Sequence, residues 1–328
     1  GDCIDSDLTV EGAVPAVGPE GQVYVAWAGP EGIVFDRSLD KGTTWLDEDI
    51  SVDPMPTGWD YAIPGVYRAN GLPVTACDLS QGPHRGTIYI NWSDQRNGSD
   101  DTDIWLSKST DGGDTWSSPV RVNDDEPGKQ QFFTWMTIDQ TTGYLYFVFY
   151  DRRQYEDDNT DVYLAVSTDG GQTFINRRIS ESPFVPNEGV FFGDYTNITV
   201  HDGIIRPIWA RFSDGEMSIW THLTTSEDLL SATPQLSSDS TSFSHYPNPA
   251  SDIIYVSYNL HTRSKVSLSV LDVNGKVISR ILSNEKRGYG KYIEKINPRT
   301  LGIPAGTYLI RLEVDHQVRT ERQMIINP

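Results

Sequence analysis

Three octads constrain this chain more than any other stretch: Ser38-Leu-Asp-Lys-Gly-Thr-Thr-Trp45, Ser109-Thr-Asp-Gly-Gly-Asp-Thr-Trp116 and Ser167-Thr-Asp-Gly-Gly-Gln-Thr-Phe174. All three read Ser-x-Asp-x-Gly-x-x-Trp/Phe, and each position has a job in a tight β-hairpin. The carboxylates of Asp40, Asp111 and Asp169 can accept backbone amides across the turn, as Asx turns do. Gly42, Gly113 and Gly171 supply the positive φ that a tight hairpin needs. Trp45, Trp116 and Phe174 open the outgoing strand and are expected to fold back as buried plugs. Loss of such a plug typically costs ~3–5 kcal/mol.

With the octads as anchors, a longer unit emerges. Gly21–Trp27, Gly86–Trp92, Gly143–Phe149 and Gly203–Trp209 each start at a glycine and alternate with the period of two expected of strands. A second strand follows each, over Ile33–Arg37, Ile104–Lys108, Val162–Val166 and Ser218–His222, and the octad leads out of the first three units. Equivalent positions are 65, 57 and 60 residues apart (27 to 92, 92 to 149, 149 to 209). Short strands repeating at this interval predict propeller blades.

The three octads resemble the Asp-box, or BNR, repeat of sialidases and related β-propellers. That resemblance implies an all-β propeller with the boxes on the blade periphery, away from any active site. Four blades are visible, whereas sialidase-type propellers have six, so either the propeller is unusually small or, as the preferred reading, further blades lie outside this stretch or are too diverged to read. The first residues, Gly1–Val14, read as a linker within a propeller.

Residues 224–245 turn Ser/Thr-rich and aperiodic, which marks a linker. Strands are then expected over Ile253–Leu260, Lys265–Leu271, Lys276–Leu282, Tyr289–Ile296, Thr307–Val314 and Val318–Ile326, a β-sandwich pattern. Val273-Asn-Gly-Lys276 reads as a type I′ hairpin. Three ordered motifs, Tyr246-Pro-Asn-Pro-Ala-Ser-Asp252, Leu271-Asp-Val-Asn-Gly-Lys-Val277 and Ile303-Pro-Ala-Gly-Thr-Tyr-Leu-Ile-Arg311, resemble the type A sorting domain of the type IX secretion system of Bacteroidota. The resemblance implies an immunoglobulin-like sandwich that addresses its cargo to the outer-membrane translocon, followed commonly by cleavage in the linker and anchoring to surface polysaccharide. The alternative is an ordinary immunoglobulin-like sugar-binding module. The domains read as 1–224 (propeller), 225–243 (linker) and 244–328 (sorting domain), giving a secreted or outer-membrane surface protein.

Charge narrows the partners. Residues 246–328 carry 12 Lys/Arg against 7 Asp/Glu, leaving 14 against 39 in the preceding 245. So acidic a front argues against nucleic acid and anionic membranes. It would also repel sialic acid at long range unless arginines cluster locally. No apolar run reaches the ~20 residues of a membrane span. No secretory leader is visible, which fits either a mature or a cytosolic chain. Cys3 and Cys77 either staple the N-terminus to the second repeat, worth about 4 kcal/mol in the chain-entropy model, or remain two buried thiols; an exported chain favours the former.

Candidate chemistry falls in two places. The hairpins Asp94-Gln-Arg96 to Asp103 and Asp151-Arg-Arg153 to Asp161 cluster Asp100, Asp101, Asp103, Asp157, Asp158 and Asp161. Ca²⁺ takes about 6–8 oxygen ligands of this kind, although the spacing matches no EF-hand loop. Local ion pairs, Asp94 with Arg96 and Asp151 with Arg153, are the preferred reading of the flanking residues. The second place is the propeller centre, where Trp59-Asp-Tyr61 with Arg68, Gln130–Trp135 and Phe191–Tyr195 enter inner strands. Rings beside amides, Asp and Arg suit a sugar, although blade packing would use the same aromatics. A sialidase would need three arginines on the substrate carboxylate, a Tyr nucleophile with a Glu, and an Asp acid. Arg68, Arg153 and Arg206, Tyr195 with Glu188, and Asp194 fill these roles on paper, but the family's Arg-Ile-Pro signature is absent. The expected function is therefore a glycan-binding, adhesin-like surface protein. The alternatives are an exo-acting sialidase and a protein-docking surface component.

Overall fold

A computed structural model describes residues 10–213, 215–230, 243–260, 263–288, 290–315 and 317–326. The chain is all-β and divides into two compact units, Gly1–Ala232 and Thr233–Pro328. Cys3 lies outside the described residues; Cys77 is buried.

The first unit holds four consecutive antiparallel meanders. The first comprises β1 (Glu11–Val17), β2 (Val23–Gly29), β3 (Gly32–Ser38) and β4 (Ile50–Asp53). A two-stranded ribbon follows, β5 (Asp60–Tyr61) with β6 (Ala69–Asn70). The second meander is β7 (Val74–Cys77), β8 (Ile88–Asp94), β9 (Asp103–Ser109) and β10 (Val120–Arg121); the third is β11 (Gln131–Asp139), β12 (Tyr144–Asp151), β13 (Asp161–Ser167) and β14 (Ile175–Arg178). The fourth is β15 (Asn197–His201), β16 (Ile204–Ser213) and β17 (Glu216–Thr221), with β18 (Thr224–Thr225) on β16.

The strands expected to open each unit, β2, β8, β12 and β16, are second rather than first in their sheets, and β2, β8 and β12 are buried on both faces instead of alternating. Each is preceded by a leading strand that sequence reading passed over, and these leading strands neighbour one another: β1 beside β7, β7 beside β11, β11 beside β15. Such a strand is Glu11–Val17, whose first four residues fall in the Gly1–Val14 stretch read as linker. Separate apolar cores fill the spaces between successive sheets. Phe35 and Ile33 meet Ile88, Ile90 and Trp92; Tyr89 and Leu106 meet Phe147 and Phe149; Phe132 and Tyr150 meet Ile198 and Trp209. This face-to-face stacking of meanders is the propeller type of packing.

The three octads repeat one hydrogen-bond pattern. The hydroxyls of Ser38, Ser109 and Ser167 donate to the Asp two residues on, at 2.8, 2.7 and 2.8 Å. They also accept the amide of the following Gly, at 2.7, 2.8 and 2.9 Å. The same Asp accepts the amide of Thr44, Thr115 or Thr173 and, on its second oxygen, that threonine's hydroxyl. Trp45, Trp116 and Phe174 are half-buried rather than fully buried plugs, because they roof the edges of the cores instead of entering them.

These bonds hold Asp40 at about 2, chiefly through the Thr44 amide and the Ser38 and Thr44 hydroxyls. At Asp169 partial burial pulls upward, but the donors of Thr173, Ser167 and Gln172 outweigh it and bring the group to about 2. A carboxylate lowered in the folded state stabilises it above the unfolded value of about 3.9 and loses that contribution as pH falls towards 2. Asp169→Asn is accordingly expected to lower Tm at neutral pH, with the gap to wild type closing between about pH 4 and 2. A gap independent of pH over that range would contradict the assignment.

The Ser/Thr-rich stretch begins as structure rather than linker. Ser226–Leu230 forms a short helix with Leu229 in the first unit's core. Thr225 and Asp228 cap it reciprocally, amide and hydroxyl to carboxylate and amide back to hydroxyl. Residues 231–242 of the expected linker lie outside the described residues.

The second unit has a three-stranded sheet of β19 (Phe243–Tyr246), β20 (Ile254–Leu260) and β23 (Gly290–Ile296). Its other sheet runs in the order β22 (Val277–Arg287), β21 (Ser264–Leu271), β24 (Gly306–Val314), β25 (Gln317–Ile325). Both contribute to one core, with Val256 and Tyr258 on one side and Leu268, Ile310 and Leu312 on the other. The 273–276 hairpin differs from the type I′ expectation. Gly275 takes φ 83° while Asn274 does not enter the positive region, and Gly275 N bonds Asp272 O at 3.0 Å while Asp272 N bonds Lys276 O at 2.9 Å. This is a type I turn closed by a left-handed glycine, the three-residue alternative to I′.

Candidate functional site

A cavity of about 570 Å³ opens beside the leading strands, a size usual for small-ligand sites. Its walls come from Glu11–Val14 of β1, from the ribbon (Trp59, Asp60, Arg68, Asn70), from Leu72–Val74 and Ser93, from Phe133–Trp135, and from Asp194 and Tyr195.

Two of the leading strands are irregular here. The β11–β12 register shifts between Phe132 and Trp135, and Phe133 adopts φ 51°. A bulky residue rarely takes that left-handed conformation, which costs of order 1–2 kcal/mol. The surroundings hold it. Its ring packs with Phe132, Tyr150 and Phe192, and its carbonyl accepts the Thr196 hydroxyl at 2.7 Å. Such bulges re-aim side chains beside functional sites, and this one brings Thr134 and Trp135 to the cavity. The buried Thr134 hydroxyl donates to Asn91 Oδ1 at 2.8 Å, and Asn91 is fixed in turn by Trp105 O. In β1 the register shifts between Glu11 and Val14, and Gly12 has φ 74° with a Cβ position only 2.7 Å from Leu72 Cβ.

The ribbon crosses from the first two sheets to the last two. Ile63, Val66 and Ala69 are buried in the core shared by the third and fourth sheets, and Arg152 donates to Pro64 O at 2.8 Å. Tyr61 locks its base: the hydroxyl donates to Asn70 O at 3.0 Å and meets Ser93 Oγ at 2.6 Å, and burial pushes its pKa up. Arg68 then forms a bidentate pair with Asp194, Nε to Oδ1 at 2.8 Å and Nη2 to Oδ2 at 2.6 Å. Asn70 Nδ2 bonds the Asp194 carbonyl at 3.0 Å. Phe192 anchors the 190–196 segment among Phe133, Tyr150, Phe184 and Phe212. Tyr195, 65% exposed, lies with its ring 5.6 Å from that of Trp135.

The structure thus brings Arg68, Asp194 and Tyr195 together and does not bring the other sialidase candidates to them. Glu188 lines a separate hollow with Gly65, Asp158 and Phe212. Arg153 sits in the β12–β13 hairpin, bonded to Asp151 at 2.8 Å and to Asp124, and stacked 4.3 Å over Tyr163. Arg206 donates to the carbonyls of Ile205 and Thr224 at 2.6 and 3.2 Å. Arg68 alone among the predicted clamp arginines reaches the cavity, and Asp194 already neutralises it. Sequence reasoning missed Glu11, Asn70 and Ser93. Glu11-Gly-Ala-Val-Pro-Ala-Val17 contains Gly and Pro, which reads as loop.

In the acidic hairpins five of the six candidate carboxylates are met by protein donors. Asp101 accepts the Gly128 amide at 2.7 Å, and Asp103 accepts Asn97 and Asn123 at 2.7 Å and pairs with Arg121 at 3.3 Å. Asp157 accepts Asn159, and Asp158 pairs with Arg152 at 3.0 Å. Asp161 accepts Ser180 at 2.7 Å and Tyr155 at 2.8 Å; Asp100 is exposed. Among the described residues no three His, Cys, Asp or Glu side chains gather as a cation set. Arg96 bonds both Asp94 and Asp53, at 2.6 and 2.7 Å.

Solved structures resembling this chain are distant. A xylan β-1,4-xylosidase from Bacillus halodurans is 14% identical with TM-score 0.39, over 88% of this chain and 53% of that one, so this chain spans about half its length. A family 43 endo-arabinanase from Bacillus licheniformis is 14% identical with TM-score 0.40, over 88% and 96%. A mutant α-L-arabinofuranosidase from Fusarium graminearum is 12% identical with TM-score 0.42, over 97% and 89%. No curated protein matches the sequence. No helix among the described residues is long and apolar enough to cross a membrane. Residues 244–327 match the model of the secretion system C-terminal sorting domain, and this tail marks the chain as cargo of the type IX machinery, secreted or displayed at the cell surface.

Proposed function

We propose that the first unit is a carbohydrate-binding module that the sorting domain delivers to the cell exterior. The observation that carries this is the Trp135–Tyr195 ring pair beside the Arg68–Asp194–Asn70 network in one cavity. Rings cover the apolar faces of a sugar, while fixed hydroxyl, amide and carboxylate groups take up its hydroxyls. The exo-sialidase alternative is less well supported, because Glu188, Arg153 and Arg206 stand away from Tyr195 and Arg68 is paired.

A glycan-array screen of the whole chain, with released sugar measured in the same wells and a chelator arm for Ca²⁺, tests the reading. Binding without release is expected. Release of sialic acid would sink it in favour of the hydrolase, and silence on every glycan would move the cavity to a protein partner.

A further inference from the structure

Resting on that carbohydrate reading, we infer that the ligand is an uncharged polysaccharide gripped along its length rather than at a charged terminus. Two independent features carry this. The first is electrostatic. Arg68 is the single cation among the described residues lining the cavity, and its Nε–Nη2 edge is committed to Asp194, whose carboxylate offsets its charge. Glu11 and Asp60 line the same cavity and are exposed, and the first 245 residues carry 39 Asp/Glu against 14 Lys/Arg. An acidic sugar would meet like charge at the wall and across the surrounding face, within the ~8 Å reach of unscreened charge at physiological salt.

The second feature is a trail of exposed rings that leaves the cavity. Tyr195 stands at the mouth against Trp135. Arg68, bonded to the neighbouring Asp194, lies 5.0 Å over the ring of Phe191. Phe191 meets Tyr67 edge-on at 6.2 Å. Phe191 and Tyr67 are 47% and 58% exposed. Buried packing explains Phe192, which anchors this segment, but not Phe191 and Tyr67, whose rings face outward on two segments brought together by the Arg68–Asp194 pair. A single terminal sugar would occupy the cavity alone and leave this outer platform unused; a chain passing through would cover both.

The test is equilibrium binding of the whole chain at low and physiological salt to two sets of polymers. Xylan, arabinan, mannan and dextran, with their short oligomers, form the neutral set; polygalacturonate and polysialic acid form the anionic one. At least one neutral polymer is expected to bind, with affinity rising from trimer to longer oligomers, and neither anion. Phe191→Ala, a change at a half-exposed ring that leaves the core intact, should weaken polymer binding about ten-fold and the trimer less. Glu11→Gln combined with Asp60→Asn should raise binding of polygalacturonate at low salt. Binding confined to an anionic polymer overturns the inference but leaves the carbohydrate reading standing. Equal affinity for trimer and polymer overturns its extended part. No binding to any sugar removes both.

Discussion

Gly113→Ala is expected to destabilise the first unit by about 2–5 kcal/mol, whereas the same change at the equivalent Gly42 costs only about 1–2. Both glycines have positive φ, 99° and 89°, so both variants pay the left-handed penalty of an L-residue. They differ in what lies opposite. A Cβ on Gly113 would stand 2.3 Å from the ring of Phe35, whereas around Gly42 nothing lies within 4 Å. Phe35 is fully buried and meets Trp116 edge-on, so it cannot step aside without strain, and overpacking of this kind typically costs a further ~1–3 kcal/mol. Gly171, 2.6 Å from Leu106 Cδ2, should behave like Gly113. All nine tryptophans precede residue 232, so tryptophan fluorescence in urea reads the first unit alone. Equal losses at Gly42 and Gly113 would show that the octads act only as local turns.

The contrast arises because the second and third octads are docking elements. Gly112 O accepts Arg37 Nη1 at 2.6 Å and Gly170 O accepts Lys108 Nζ at 2.6 Å. In each case a cation on the third strand of the preceding sheet grips the hairpin of the next. Val166 occupies the matching position on the third sheet, and the fourth meander carries no octad. A docking cation is thus present where a hairpin follows and absent where none does.

The second large effect concerns binding. Trp135→Ala should reduce affinity for whichever glycan the screen identifies by about 30-fold or more, since truncating a tryptophan anchor at a binding centre typically costs ≥ 2 kcal/mol. Trp135→Phe keeps a ring against Tyr195 and should recover much of it. Tyr195→Phe should change affinity by less than about three-fold, because stacking needs the ring and not the hydroxyl. The comparison is made by calorimetric titration, with tryptophan-free assays of folding for the Trp135 variants. An intact affinity in Trp135→Ala would remove this cavity as the sugar site. A collapse of sugar release in Tyr195→Phe would restore a nucleophilic role for the hydroxyl.

Some of this was legible in the amino-acid order, and the reason is locality. The bonds internal to each octad join residues at most four apart, so Ser, Asp, Gly and Thr in that order suffice to specify the hairpin. The strands β2, β8 and β12 were legible as short apolar and aromatic runs after a turn glycine, buried on both faces between sheets, and β16 by its alternation. The tail's three motifs were legible for the same reason of fixed local spacing. The leading strands were not: β1 is interrupted by Gly12 and Pro15, β15 is only five residues long, and both take their position from neighbouring sheets.

The site depended on distance in sequence. Arg68 and Asp194 are 126 residues apart, and the aromatic segments flanking them could be named as candidates but not assembled. Which arginines face the cavity was decided by where each side chain finds an acceptor once the sheets stack. Arg153 and Arg206 find theirs locally, Arg153 on Asp151 and Arg206 on nearby carbonyls, and so never reach the centre. Arg68 rides on a ribbon whose apolar residues bury themselves across the cavity, and only that burial delivers it to Asp194. Turn chemistry and periodicity act between neighbours in the chain and are therefore written in the sequence; convergence of a site is set by the packing of sheets against each other, and only the tertiary structure decides it.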